Sequence, residues 1–193
     1  MPDSRVTKTL KKLDGSFVEL LHRRSYANIR VSDVTRKAGI GRATYYAHYS
    51  SKHDLLRSQF DRIVAPMLVP RKNDPGLLDI TPLLVHVKTS PQIFKALVGS
   101  PNGGSAGRIL RECFEKRIGE CLASLESAAP CRAVSRGIPK RLMVRFVASS
   151  LLAIVEWWVE SGARESVEQM QATFSKLVCG GLSVDLSPNS QKS

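Results

Sequence analysis

Apolar residues recur at helical spacing almost from the start of this chain. Leu10, Leu13, Phe17, Leu20 and Leu21 line one face of a helix expected from about Val6 to Arg24. Gly15 inside that helix costs about 1 kcal/mol relative to alanine, tolerable where another helix packs close. After Ser25–Asn28, a short helix is expected over Val31–Ala38, ended by Gly39, which adopts the left-handed conformation without strain. A third runs from Arg42 to about Tyr49. Ser50 and Ser51 are caps for a fourth, from Lys52 to about Ala65, that turns Leu55, Leu56, Phe60, Ile63 and Val64 inward. Pro66, Pro70 and the stretch Arg71–Gly76 break the pattern. Beyond them, helical segments are predicted over about 78–88, 91–98, 106–125, 139–161 and 166–179, with Pro91 and Pro139 at first-turn positions. Pro101–Gly104 and Ala128–Gly137 read as loops, and no β-alternation of useful length occurs.

The pattern predicts an all-α fold. A three-helix helix-turn-helix unit occupies residues 1–65, a larger helical domain residues 66–186, and a polar, disordered tail residues 187–193.

Charge sharpens this division. The 193-residue chain carries a formal net charge of +12. Residues 1–72 hold 15 Lys and Arg against 6 Asp and Glu, whereas residues 73–193 hold 14 against 11. A basic head on a near-neutral body points to a polyanion partner for the head alone. Nucleic acid and an anionic membrane surface both fit that description. The apolar stretch around Phe146–Val159 is interrupted by Ser149, Ser150 and Glu156, so no membrane span is expected. The first residues are polar and charged, which argues against a secretory signal. Cys113, Cys121, Cys131 and Cys179 form no C-x-x-C and have no histidine at metal-ligand spacing, so reduced thiols in the cytoplasm are expected. No phosphate loop, nucleophile elbow or metal-ligand set is present. Catalysis, a cofactor and a metal are therefore not expected.

The informative segment is Ile29–Leu56. Two short helices with a glycine in the turn between them have the layout of a helix-turn-helix, whose second helix enters the major groove of DNA. Val31, Val34, Ala38 and Ile40 form the apolar side of the first helix and turn. The second helix carries Arg42, Thr44, Tyr45, Tyr46 and His48. Arginine donates two hydrogen bonds to a guanine edge, and tyrosine and threonine hydroxyls reach phosphates or bases. Lys52 opens the next helix, where its amine and the free N–H groups both favour a phosphate.

This segment strongly resembles the TetR family of bacterial transcription regulators, through Val31, Asp33, Val34, Ala38, Gly39, Ile40, Arg42, Thr44, Tyr45, Tyr46, His48, Tyr49, Lys52, Leu55 and Leu56. The resemblance covers about the first 65 residues well and the rest weakly. It implies that Thr44, Tyr46, His48 and Lys52 hold the DNA backbone, that Arg42 and Tyr45 face bases or nearby phosphates, and that Tyr49 packs inward. Arg30 and Ser32, at the start of the first helix of the motif, join the DNA-binding set. Two positions depart from the family pattern. Arg30 stands where a Ser or Thr cap is usual, and Gly41 where a small polar residue is common.

The resemblance also implies a homodimer, made by the last two long helices of each subunit, on double-stranded palindromic DNA. The outcome is expected to be repression, released or modulated by a small-molecule effector; a protein partner at the C-terminal domain is the alternative. Phe146, Trp158, Met170, Phe174 and Leu177 are the expected dimer contacts. Phe94, Leu97, Phe114 and Trp157 are the expected lining of a pocket closed by the Phe146–Trp158 helix. Adjacent Trp157 and Trp158 point about 100° apart, so one is expected to face its own core and the other the partner.

Overall fold

The computed structural model describes residues 4–71, 78–98, 104–125 and 138–182. The tail expected from residue 187, the loop 128–137 with Cys131, Pro101–Gly103 and most of the turn after Arg71 lie outside the described residues. Helix α1 spans Ser4–Leu21, α2 Val31–Ala38, α3 Arg42–Tyr46 and α4 Lys52–Gln59. The C-terminal part holds α5 (Thr81–Thr89), α6 (Pro91–Val98), α7 (Gly104–Leu125), α8 (Lys140–Glu160) and α9 (Val167–Leu182). The all-α expectation holds.

The head is built on the predicted stripes. Leu13 and Phe17 of α1, Val34 of α2, Tyr45 of α3 and Leu55 of α4 have no exposed surface, and Tyr26 packs edge-on against Phe17 with ring centroids 6.1 Å apart. The turn between α2 and α3 depends on Gly39 at φ 64°, where the N–H groups of Gly39 and Ile40 close back onto the carbonyls of Arg36 and Thr35.

Helix α4 begins on Ser51, whose Oγ accepts from the Asp54 N–H at 3.2 Å. It passes without a break into a wider π-type turn over Phe60–Val64 and then a tight turn over Ala65–Met67 that contains Pro66. Proline has no N–H to offer a continuing helix, which stops α4 there. Residues Val69–Pro70 pair antiparallel with Leu78–Asp79, a two-residue bridge too short to leave an alternation in the sequence. Gln171 of α9 holds this bridge: its Oε1 accepts from the Ile80 N–H at 2.7 Å and its Nε2 donates to the Leu78 carbonyl at 3.2 Å.

Helix α8 forms the centre of the C-terminal part and packs on α5, α6, α7 and α9. By length and mean hydropathy alone it is apolar enough to cross a bilayer. Its serines and glutamate interrupt the apolar run without lowering the average enough. Half of that window is buried inside the fold, as suits a core helix. Trp158 is completely buried there and donates its Nε1–H to the Glu165 carbonyl at 3.3 Å.

Candidate nucleic-acid interface

Helix α2 is preceded at the N-cap by Arg30, which has extended backbone angles and no side-chain oxygen with which to cap. The cap is supplied from within the helix instead. Asp33 Oδ2 accepts from the Arg30 N–H at 2.9 Å, and Oδ1 accepts from Arg36 at 2.6 Å. The first of these bonds is the main reason the Asp33 carboxyl is held below the usual carboxylate range, with Arg36 and Arg24 adding to it. A lowered folded pKa gives stability that is present above the unfolded value, near ~4, and is lost as pH falls through the folded one. Asp33→Ala is expected to cost about 1 kcal/mol at pH 7. The gap to the unsubstituted protein should close below about pH 4. Urea unfolding at pH 7 and pH 3 checks this; a gap of equal size at both would refute it.

Helix α3 turns Arg42, Ala43, Thr44 and Tyr46 to the outside, and Tyr46 is 55% exposed. Neither Arg42 nor Arg30 makes an ion pair among the described residues, and both are exposed. Ser32 and His48 are half-buried beside this face, and the Ser32 carbonyl accepts from Thr35 Oγ1. An exposed arginine, a hydroxyl and a ring with a polar tip on one short helix is the chemistry that reads base edges and grips phosphates.

Two expected DNA contacts are corrected. Tyr45 is fully buried between Tyr46 and Tyr49, and its hydroxyl donates to the Ser51 carbonyl at 3.0 Å. Burial pushes its phenol pKa up, so it stays a neutral donor. It fixes α3 to the start of α4 and has no surface to offer DNA. In a helix of five residues one position must point inward, and the periodicity did not say whether it was 45 or 46. Lys52 is the second correction. Its Nζ donates to the carbonyls of Tyr26, Ala27 and Ile29 at 2.9, 3.2 and 2.8 Å, and lies 4.5 Å from the Tyr26 ring centroid. An ammonium has three donors, and all three are used within the fold. The Tyr26 hydroxyl completes the cluster through His53 Nδ1 at 2.7 Å. No helical period reports this contact, because its carbonyls lie 23 to 26 residues away in sequence.

In the C-terminal part, Phe94, Leu97 and Phe114 line one cavity of about 240 Å³, as expected together. Trp157 does not join them: it is 54% exposed on the far side of α8. The cavity is walled by α1, α4, α5, α6 and α7 rather than closed by α8. Sequence reasoning placed its wall residues Leu21, Leu56, Phe60, Ile63 and Val64 in the head's own core.

The expected dimer contacts also divide. Phe146 is 38% and Leu177 55% exposed, whereas Trp158, Met170 and Phe174 are buried within the protomer and have no surface for a partner. The two tryptophans thus exchange roles: Trp158 faces its own core and Trp157 faces out.

Residues 18–58 match the family model of bacterial regulatory proteins of the tetR family, and residues 79–180 match that of a transcriptional regulator C-terminal region. An uncharacterized HTH-type transcriptional regulator of Bacillus subtilis (strain 168), YxbF, is 40% identical over 67 residues, which are 34% of this chain and 18% of that protein. The chain therefore spans under a fifth of the length of that curated relative. Among solved structures, a TetR transcriptional regulator from Streptococcus agalactiae 2603V is 23% identical with a TM-score of 0.57, over 91% of this chain and 96% of that one. The dihydroxyacetone kinase operon activator DhaS is 17% identical with a TM-score of 0.56, over 90% and 96%. With the head and the C-terminal part each matched by a regulator family model, the chain belongs to the TetR family of transcriptional regulators.

Proposed function

We propose that this protein is a homodimeric repressor of the bacterial cytoplasm, with a DNA-binding head at residues 1–65 and a dimerising, effector-binding body at residues 66–186. The observation that carries this reading is the outward face of α3, with Arg42, Thr44 and Tyr46 exposed on a head of strong positive charge. Arg42 reads a base edge; Arg30, Ser32, Thr44, Tyr46 and His48 hold the backbone around it. A second copy is called for by a stripe on α8. Leu142, Phe146, Ala153 and Trp157 are all exposed, and at 100° per residue they fall within about 60° of one helix face. Leu177 adds an exposed apolar side chain on α9. Such a stripe requires cover. Two-fold pairing sets the α3 helices about one duplex turn apart, ~34 Å, and calls for a palindromic operator. A small-molecule effector acts by favouring a dimer geometry in which the two helices no longer fit successive grooves.

A mobility-shift assay on the DNA upstream of the protein's own gene tests the reading, with preference for one palindromic site over bulk DNA expected. Equal affinity for all sequences would overturn it. The dimer is tested by Trp157→Glu. A charge placed on the apolar stripe is expected to weaken self-association at least about tenfold in sedimentation, with the helical circular dichroism kept. An unchanged sedimentation coefficient would place the interface elsewhere.

A further inference from the structure

The cavity that holds Phe94, Leu97 and Phe114 lies at the junction of the head and the body. Val18 and Leu21 of α1 and His22 just after it form one wall, and α6 and α7 form the opposite one. Between them runs α4 with its π-type turn, contributing Phe60, Ile63 and Val64. A π-type turn carries one more residue per hydrogen-bonded ring than an α-helix and recurs at functional sites.

The chemistry of the wall is selective. In a chain of net charge +12, no lysine, arginine, aspartate or glutamate is among the described residues that line it. The polar side chains are His22, Gln59, His86 and Ser90. Gln59 is already engaged, donating to the Asp14 carbonyl of α1 at 3.2 Å. His86 is half-buried against the edge of Phe94, with ring centroids 6.1 Å apart, and burial lowers its pKa, which leaves a neutral imidazole as donor or acceptor. A buried charge with no partner is costly, so such a wall rejects ions. An apolar cavity of about 150 Å³ accommodates benzene. The larger volume of about 240 Å³ suits a fused pair of rings.

The two sides of the cavity are tied unequally. Helix α4 and the turn that follows it are fastened to α7, by Arg57 to Glu112 at 2.7 Å and by Arg117 Nε to the Ala65 carbonyl at 2.8 Å. Where α1 packs on α6, the cavity wall is apolar: Val18 and Leu21 on one side, Ile93, Phe94 and Leu97 on the other. An occupant therefore meets least resistance by parting α1 from α6, which shifts α2, packed on α1, relative to the body.

We propose that this junction cavity is the effector site, and that its occupant is a neutral, mostly apolar molecule of about two fused rings with one hydrogen-bonding group. The inference rests on the effector-modulated reading above and adds its site and ligand class.

Calorimetric titration of the protein alone with 1-naphthol and with 1-naphthalenesulfonate tests the site. The two share a ring system and differ in charge. Naphthol is expected to bind once per protomer, at least thirtyfold more tightly than the sulfonate. Ile93→Trp and Val64→Phe fill the cavity from opposite sides, and each should weaken naphthol at least tenfold. In the mobility-shift assay, saturating naphthol should lower operator affinity at least fivefold, a response absent in Ile93→Trp. Sulfonate binding as tight as naphthol, unaltered naphthol binding in both filled variants, or operator affinity unmoved by bound naphthol would each overturn the proposal. Loss of operator preference in the absence of naphthol would instead count against the regulator reading, and the calorimetry would still judge the cavity.

Discussion

Replacing Lys52 with methionine is expected to lower the stability of the protein by about 2–3 kcal/mol, and to leave the salt dependence of DNA binding as it was. The ammonium donates to three backbone carbonyls, those of Tyr26, Ala27 and Ile29, which belong to the tight turn joining α1 to α2. Hydrogen bonds from a charged donor contribute about 1.5–3 kcal/mol, and carbonyls left unpaired in a part-buried place add to the loss. For a chain of this length the melting temperature should fall by roughly 4–12 °C. Arginine should not rescue, since a planar fork cannot converge on three acceptors as an ammonium does. A lysine bound to phosphate would behave oppositely: its loss would leave melting unchanged and reduce the slope of log affinity against log salt by about 0.9 per contact. Thermal denaturation and anisotropy across a salt series read both quantities. An unmoved melting temperature with a shallower slope would return Lys52 to the DNA.

The difference between these two roles shows where sequence reasoning stopped. Periodicity reports which face of a helix is apolar, and here it located all nine α-helices among the described residues, with α2 and α6 at their observed ends. It also placed the turn at Gly39, because a positive φ leaves a residue-type signature. It has no information on contacts between residues distant in sequence. Lys52 reaching back to Tyr26, Gln171 gripping the β-bridge, and the meeting of α1 with α6 around the cavity are all of this kind. Short helices carry a related ambiguity. Tyr45 and Tyr46 are adjacent and chemically identical, and only the packing of Tyr45 against Tyr49 decides which is core. Trp157 and Trp158 repeat the problem on α8, where the buried one is again settled by its neighbours.

Arg42→Ala is expected to abolish operator preference while leaving the fold intact. Arg42 is the first residue of α3, exposed, and without an ion pair among the described residues. Removing it leaves no buried group unpaired, so its effect on stability should stay within about 0.5 kcal/mol. A bidentate arginine–guanine pair discriminates by about 1–3 kcal/mol, and a two-fold dimer makes the contact twice. The operator should therefore bind on the order of 10²–10⁴ times more weakly, with binding to bulk DNA reduced far less. Lysine at this position should recover the non-specific part and little of the preference, because it cannot offer the paired donors. Tyr45→Phe is the matched control one turn along. It deletes the bond to the Ser51 carbonyl, so it should cost about 1 kcal/mol of stability and leave the choice of sequence untouched. If Arg42→Ala bound the operator as well as the unsubstituted protein, or if Tyr45→Phe changed the preferred sequence, α3 would not be the element that reads DNA.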